Sequence, residues 1–379
     1  MTLPETASSS DAGSAPRALP EAGPRLRGRT LLALTGAMLA YHLGLWAWTM
    51  YRRGLSPTEA LDRWDSALYT RIILEGYDPA LRAFLPVYPR AVGLLHTLTG
   101  GQVAPWVLGF ALSTLCLGAF TRWVSRRVER GDTSPLVPRT AWGQAFLLFS
   151  PASFALHSHH TEALFLLLSF AALVSAWDGH LWRAALFAAL CVWTRNQGVF
   201  VAVASALLVA RAPGPWRGRL TRFAAVGAVT GAAFAGLLGF QWLATGDALV
   251  HVHAQRYWNH PDSVAGAVGR LWTESTWQRA FGWLGLRNLF AAVWLVGSLA
   301  LLRRSLAVGL YALVSVLVMV LQGDLGNAFR YGVVVFPMLF WWGDWLAGRP
   351  AWLRWPVALL VLWLNHKVTH GLAIGRWVY

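Results

Sequence analysis

Charge is what this sequence lacks. Only 13% of its 379 residues are charged, while 56% are hydrophobic; a soluble domain carries about a quarter charged residues. An ordinary water-soluble fold is excluded on that ground. Acid is the scarcer sign: 17 aspartates and glutamates stand against 32 basic residues, for a net charge of +15. The arginines are spread over short loops and gather into no single basic face. The surplus therefore points to membrane orientation and anionic head groups, and nucleic acid is set aside as a partner. Cysteine is nearly missing. Cys116 and Cys191 both fall inside apolar runs, which leaves neither a disulfide framework nor a zinc spacing. No internal repeat is visible either, so the inverted-repeat sign of many transporters is missing. What is abundant is tryptophan, and 23 of them suit two aromatic belts at lipid–water boundaries. The fold class expected is an all-α polytopic membrane protein.

Residues 1–24, rich in Ser, Ala, Pro, Gly and Glu, read as a disordered cytoplasmic tail. The run 30–50 follows, about as long as one crossing needs. It ends without a small-residue cleavage site and so reads as a retained anchor. Arg25, Arg27 and Arg29 place the tail in the cytoplasm by the positive-inside rule. Further apolar runs lie at 103–121, 141–156, 161–177, 182–194, 198–210, 223–243, 281–302, 305–321, 331–347 and 353–365. Several are shorter than the ~20 residues of a straight crossing. With the Pro-bearing segment 84–98 taken as re-entrant or surface-lying, about 11 crossings result. Residues 25–379 then form one transmembrane domain, with a first outer loop over 51–102 and a second over 244–280. Arginine-bearing loops alternate along the series. Assigning them to the cytoplasm brings HSHHTE (157–162), Arg195, the loop 244–280 and QGDLGNAFRY (322–331) to one outer face, together with RWDSALYTRIILEGY (63–77).

Candidate chemistry begins with that last segment. On a helix, Leu61, Trp64, Leu68 and Ile72 make an apolar stripe, with Asp62, Asp65 and Tyr69 on the neighbouring face towards water or a cavity. Asp65 can merely solubilise this face or pair with Arg63 or Arg71. Alternatively it is a general base, because a carboxylate beside an apolar surface is made more basic by desolvation. Glu162 opens a long apolar helix, where Thr161 or Ser158 can cap and a carboxylate favours the helix dipole. His157, His159 and His160, with His251, His253 and His260, make a metal conceivable, but no fixed ligand pattern is present. Arg195 interrupts apolar sequence and must sit at a helix break, snorkelling to the interface or gripping a phosphate with two donors. Arg330 and Tyr331 introduce another crossing. Gln255 and Arg256 belong to a polar–aromatic loop with Tyr257 and Trp258.

These residues resemble a known family. RWDSALYTRIILEGY is similar to the Trp-Asp segment of the PIG-V-like mannosyltransferases, the group that includes GPI mannosyltransferase 2 and many bacterial relatives. FLPVYPRAVGLL, SPASFALHSHHTEALFLLLSFAAL, VWTRNQGV and FRYGVVVFPMLF resemble further stretches of that family, in its order, from about residue 30 to residue 345. The resemblance implies a GT-C-like bundle with amphipathic interfacial helices in the first outer loop. It implies a glycosyltransferase of a bacterial inner membrane, taking a sugar from a polyprenyl-phosphate donor to a lipid or glycan acceptor on the non-cytoplasmic side. It also implies that Asp65 is the catalytic carboxylate, that Glu162 and Arg195 line the site, and that Arg330 with Tyr331 borders it. Tyr69, Gln255 and Arg256 are taken with these as contacts to substrate or lipid phosphate, and Trp64, Tyr88, His159, His160 and Thr161 as site-lining residues. Two departures bear on the sugar and acceptor: His160 replaces an aromatic, and Asn196-Gln197 replaces a proline-bearing element.

No cofactor is expected, since a lipid monophosphate leaving group needs no metal clamp if arginines supply the field. Two readings without that chemistry stay open. One is a lipid-linked-saccharide transporter or lipid-binding protein using the same arginines; the other is a metal-dependent lipid modification using the histidines.

Overall fold

The computed structural model describes residues 26–258, 265, 266, 269, 283–321 and 327–376, without the side chains of 283–288. The tail 1–24, His260, most of the loop 244–280 and residues 322–326 lie outside the described residues. Among the described residues all regular elements are helical.

The first helix, α1 (Gly28–Arg53), shows how this chain packs. It buries Thr35, His42 and Thr49 and exposes Leu32, Leu43, Trp48 and Tyr51. The last helix, α16 (Ala351–Ala373), likewise buries Asn365, Thr369 and Gly371 while exposing Trp352, Leu359 and Trp363. Water would penalise so many large apolar side chains on the outside. Lipid does not, because small and hydrogen-bonding groups let helices approach while large apolar side chains meet acyl chains. The contacts are of that kind: Thr35 Oγ1 lies 3.1 Å from Thr121 Oγ1, and Trp46 Nε1 donates to the Thr369 carbonyl at 3.1 Å. Among the described residues three helices are long and apolar enough to cross a membrane: α1, α5 (Pro105–Glu129) and α10 (Trp216–Thr245). The protein is a helical membrane protein.

Around these stand α6 (Ala141–Leu148), α7 (Glu162–Trp177), α8 (Leu181–Thr194) and α9 (Gly198–Ala210), followed after α10 by the short α11 (Val250–His253). Then come α12 (Trp283–Leu302), α13 (Leu306–Leu321), the six-residue α14 (Ala328–Val333) and α15 (Phe336–Ala347). The arginine-bearing turns meet at one end of the bundle. There Arg127 bonds Asp178 at 2.5 and 2.9 Å, Arg211 stacks 3.7 Å from the Trp177 ring, and Asp344 accepts the Arg139 and Thr140 amides, both at 2.9 Å. The chain then runs so that α1, α8 and α10 end, and α7 and α9 begin, at the opposite end. Exposed tryptophans mark both ends: Trp48 and Trp242 on one, Trp182, Trp216 and Trp352 on the other.

Two expectations about local structure change. The Trp-Asp segment is not one helix. A capping box closes α2 (Pro57–Leu61), with Ser56 N–H on Glu59 Oε2 at 2.8 Å and Glu59 N–H on Ser56 Oγ at 3.3 Å. The chain then turns through Trp64, whose φ of 54° and ψ of −128° are costly for a side-chain-bearing residue, by about 1–3 kcal/mol. Only at Asp65 does α3 (Asp65–Glu75) begin. The stripe Leu61–Trp64–Leu68–Ile72 is therefore broken, and α3 buries Asp65, Ser66, Tyr69 and Ile72. Asp62 turns to the start of α3, accepting Thr70 Oγ1 at 2.9 Å and Ser66 Oγ at 3.1 Å, and burial pushes its carboxyl up. The run 331–347 is also split, at Val334 and Val335, between α14 and α15. The segment 84–98 gives α4 (Val87–Leu98), 12 residues long and so about 18 Å, which packs Tyr88 and Val92 inward and leaves Leu94 and Leu98 exposed.

Candidate functional site

Four residues far apart in the chain meet where α3, α7, α8 and α14 converge. Asp65 is the first residue of α3, Glu162 the first of α7, Arg195 follows α8, and Arg330 lies in α14. Arg330 Nη2 is 2.5 Å from Asp65 Oδ2, and Arg330 Nε donates to Glu162 Oε1 at 2.5 Å. Arg195 Nη1 reaches the same Glu162 oxygen at 2.7 Å. Asp65 is 8% exposed, Arg195 9%, Arg330 6% and Glu162 0%. Two carboxylates and two guanidinium groups thus form a neutral, nearly dry network, in which each attraction is several times stronger than in water.

The turn that presents Arg195 is built by Gly198. Arg195 N–H donates to the Cys191 carbonyl at 3.1 Å, and Gly198 N–H to the Arg195 carbonyl at 2.8 Å. A Cβ on Gly198 would overlap the Cys191 carbonyl. Gly198→Ala therefore has to open the α8–α9 turn, at about 1–3 kcal/mol. A lowered melting temperature of the detergent-solubilised protein is expected, and an unchanged one would show that the turn is not so constrained.

A cavity of about 180 Å³ opens beside the network, lined among others by Asp65, Tyr69, Thr161, Arg195, Gln255, Arg330 and Tyr331. Glu162 does not line it. It lies behind the two arginines and holds both through one oxygen, so it positions them and does not itself touch an occupant. Tyr69 contributes a neutral phenol, since burial first and then the Asp65 carboxylate push its hydroxyl well above the usual pKa. The Arg195 guanidinium sits 5.6 Å from the Tyr331 ring centre. The loops 51–102 and 244–280 meet at the rim, where Trp258 Nε1 donates to the Ala80 carbonyl at 3.1 Å and the Trp258 ring meets Phe84 edge-on at 5.6 Å.

Other candidates fall outside the lining. Tyr88 and His159 stand behind Tyr69, joined to each other at 2.8 Å between the Tyr88 hydroxyl and His159 Nδ1. His160 Nδ1 bonds Ser158 Oγ at 2.8 Å, and Trp64 is half-buried at the break before α3. Arg256 is exposed and donates to the Tyr257 hydroxyl at 3.3 Å. Neither Thr161 nor Ser158 caps α7 as expected: no side chain does. The surface partners foreseen for Asp65 are engaged elsewhere, Arg63 with the Glu59 carbonyl and Arg71 with Glu75 and Asp78 at 3.1 and 2.9 Å.

Among the described residues the candidate histidines do not converge on one site. His157 Nε2 is 2.8 Å from His42 Nδ1, His251 Nδ1 is 2.7 Å from Gln241 Oε1, and His253 pairs with Asp247 at 2.7 Å. Among the described residues no three metal-ligating side chains come together. The His42 pair has a fixed polarity. Asn365 Nδ2 donates to the Ser150 carbonyl at 2.8 Å, so its Oδ1 accepts from His42 Nε2 at 2.9 Å. With both rings neutral, His42 Nδ1 must accept from His157. This is a buried structural chain between α1, α16 and the 3₁₀ turn Ser153–Leu156.

Two lining residues, Phe200 and Ser315, lie outside every stretch singled out in the sequence, while Phe84, Thr194 and Asn327 lie inside such stretches without being named as candidates. Polar residues at the ends of apolar runs were the one available signal, at Asn196-Gln197 and Asn327.

No protein-family model matches the chain, and no curated protein or solved structure shows significant similarity to it. The family resemblance rests on the short motifs alone.

Proposed function

We propose that this protein is an integral membrane glycosyltransferase of GT-C type, with about 11 crossings, a cytoplasmic N-terminus and an outward-facing site. It moves a hexose, mannose being the first choice, from a polyprenyl-phosphate donor to a lipid or glycan hydroxyl. One observation carries the proposal: an acid and two arginines, tied together by a buried glutamate, line one cavity. That set matches what the reaction needs, a proton acceptor beside preorganised positive charge.

As found, Asp65 Oδ2 is engaged by Arg330, which hinders its pairing with an acceptor hydroxyl. The donor phosphodiester removes that obstacle by taking Arg330 for itself, a partner exchange that leaves Asp65 facing the acceptor. The acceptor oxygen then bonds to the anomeric carbon as the bond from that carbon to the phosphate oxygen breaks. The lipid phosphate leaves with the bonding electrons, the acceptor proton passes to Asp65, and a single displacement inverts the anomeric centre. Charge follows the same course. Protonating Asp65 takes the network from neutral to one positive charge as the departing phosphate goes from one negative charge to two. Preorganised guanidinium groups stabilise that change without reorganising solvent.

The test is reconstitution of the full chain with polyprenyl-phosphate mannose and a lipid acceptor, with the product anomer read by nuclear magnetic resonance. Transfer with inversion is expected. Flipping or binding of the donor with no transfer to any acceptor would instead favour a transporter or lipid-binding protein, and retention would overturn the direct displacement. Activity abolished by chelators would move the proposal towards the metal-dependent alternative.

A further inference from the structure

Beyond its arginines, the cavity lining carries unusual chemistry. Four of its residues, Thr161, Gln197, Ser315 and Asn327, place a side-chain oxygen where it is buried and has no hydrogen-bond partner: Oγ1, Oε1, Oγ and Oδ1 respectively. An unsatisfied buried polar atom costs about 1–3 kcal/mol, so four around one cavity call for an explanation. Partnerless oxygens elsewhere, such as those of Ser205 and Gln144, do not line it.

The backbone makes the arrangement more pointed. Thr161, Gln197 and Asn327 each occupy the residue before a helix, α7, α9 and α14, and none caps it. Thr and Asn at that position ordinarily turn their oxygen back onto the first-turn amides. Here Thr161 and Gln197 adopt helical φ and ψ, −77° and −11° and −62° and −14°, so the helix geometry begins early and the side chain is released. Ser315 sits within α13. Hydroxyls inside other helices of this chain return to the carbonyl four residues back, as Thr35 does at 3.1 Å, Thr194 at 2.7 Å and Ser298 at 2.8 Å. Ser315 does not.

We infer that these four residues form a glycosyl subsite, which receives the pyranose of the donor through its hydroxyl groups. The inference rests on the proposed glycosyltransferase function and names where its sugar sits. The four oxygens carry almost no accessible surface as found, so a ligand meets them as their side chains turn towards the cavity; two amide oxygens can then only accept and two hydroxyls can accept or donate, which suits a ligand presenting several O–H donors on adjacent carbons. Phe84, Phe200 and Trp258 line the same cavity and offer apolar faces to the C–H surface of such a ring. The guanidinium groups of Arg195 and Arg330 stand on that cavity as well, so a phosphate on them and a hexose on this lining can belong to one molecule.

The full chain in nanodiscs is titrated with two probes, polyprenyl phosphate and the matching polyprenyl-phosphate mannose. Wild type should bind the glycosylated lipid at least about tenfold more tightly, the equivalent of two ordinary net hydrogen bonds. Thr161→Val, Gln197→Met, Ser315→Ala and Asn327→Leu should each weaken binding of the glycosylated lipid by roughly three- to tenfold. Binding of the bare lipid phosphate should change by less than about twofold, within the spread of substitutions that touch no contact. Thr161→Ser keeps the hydroxyl and should retain the preference, which separates recognition from misfolding. Equal binding of the two lipids by wild type, parallel weakening of both, or binding of neither overturns the subsite. A sugar preference abolished by these variants in a protein that performs no transfer would keep the subsite and overturn the enzyme. Transfer by variants with an unaltered sugar preference would do the reverse.

Discussion

Asp65→Asn is expected to lower transfer by about 10²–10⁴-fold, the range a positioned general base contributes. The variant keeps the shape of the side chain and removes its charge and basicity together. Arg330 is then left with Glu162 as its only charged partner among those four residues. The donor phosphate no longer has to displace a carboxylate, so donor binding should tighten while turnover falls. That opposition is the useful readout. A residue with a merely structural role would weaken both or neither, whereas a base held in check by its arginine gives a lower kcat with a lower or unchanged KM. Full activity in Asp65→Asn, measured with polyprenyl-phosphate mannose in nanodiscs, would remove the base.

Glu162→Gln is expected to cost about 3–5 kcal/mol of stability, the loss seen when one partner of a buried ion pair is removed. Glu162 is fully buried and its Oε1 holds both Arg195 and Arg330. With its charge gone, two guanidinium groups face each other with Asp65 as the one remaining carboxylate of the network. The magnitude decides between two effects of the substitution. A loss of this size outweighs the hydrogen bonds that a glutamine oxygen can still accept, each about 1 kcal/mol. Polyprenyl phosphate, supplying the missing negative charge, should raise the melting temperature of Glu162→Gln more than that of wild type. A variant as stable as wild type, with no larger response to the lipid phosphate, would show that Glu162 does not organise the arginines.

Much of the helical layout was legible because apolar runs interrupted by arginine leave few alternatives in a bilayer. The break at Arg195 followed from the cost of a buried charge, and the structure sets that residue at the turn between α8 and α9. Placing the arginine-bearing loops on one side put Asp65, Glu162, Arg195 and Arg330 at one face of the bundle, and only the fold shows that they meet in one network. Their pairing was not legible either. Periodicity proposed Arg63 or Arg71 for Asp65, and the partner is 265 positions away in sequence, at Arg330. The kink at Trp64 was hidden for a different reason. Its φ of 54° belongs to no residue-type preference of tryptophan, so the stripe Leu61–Trp64–Leu68–Ile72 looked continuous. Ser315 was illegible as well: a serine in an apolar helix ordinarily satisfies itself on the preceding turn, and only the fold shows that this one does not.

Electron cryo-microscopy of the full chain in a nanodisc with bound polyprenyl phosphate tests the central claim most directly, namely that Arg330 trades Asp65 for the lipid phosphate. Phosphate density is expected between Arg195 and Arg330, with the Asp65 carboxylate separated from the guanidinium and open to the cavity. Phosphate bound elsewhere, with the Asp65–Arg330 pair intact, would contradict it.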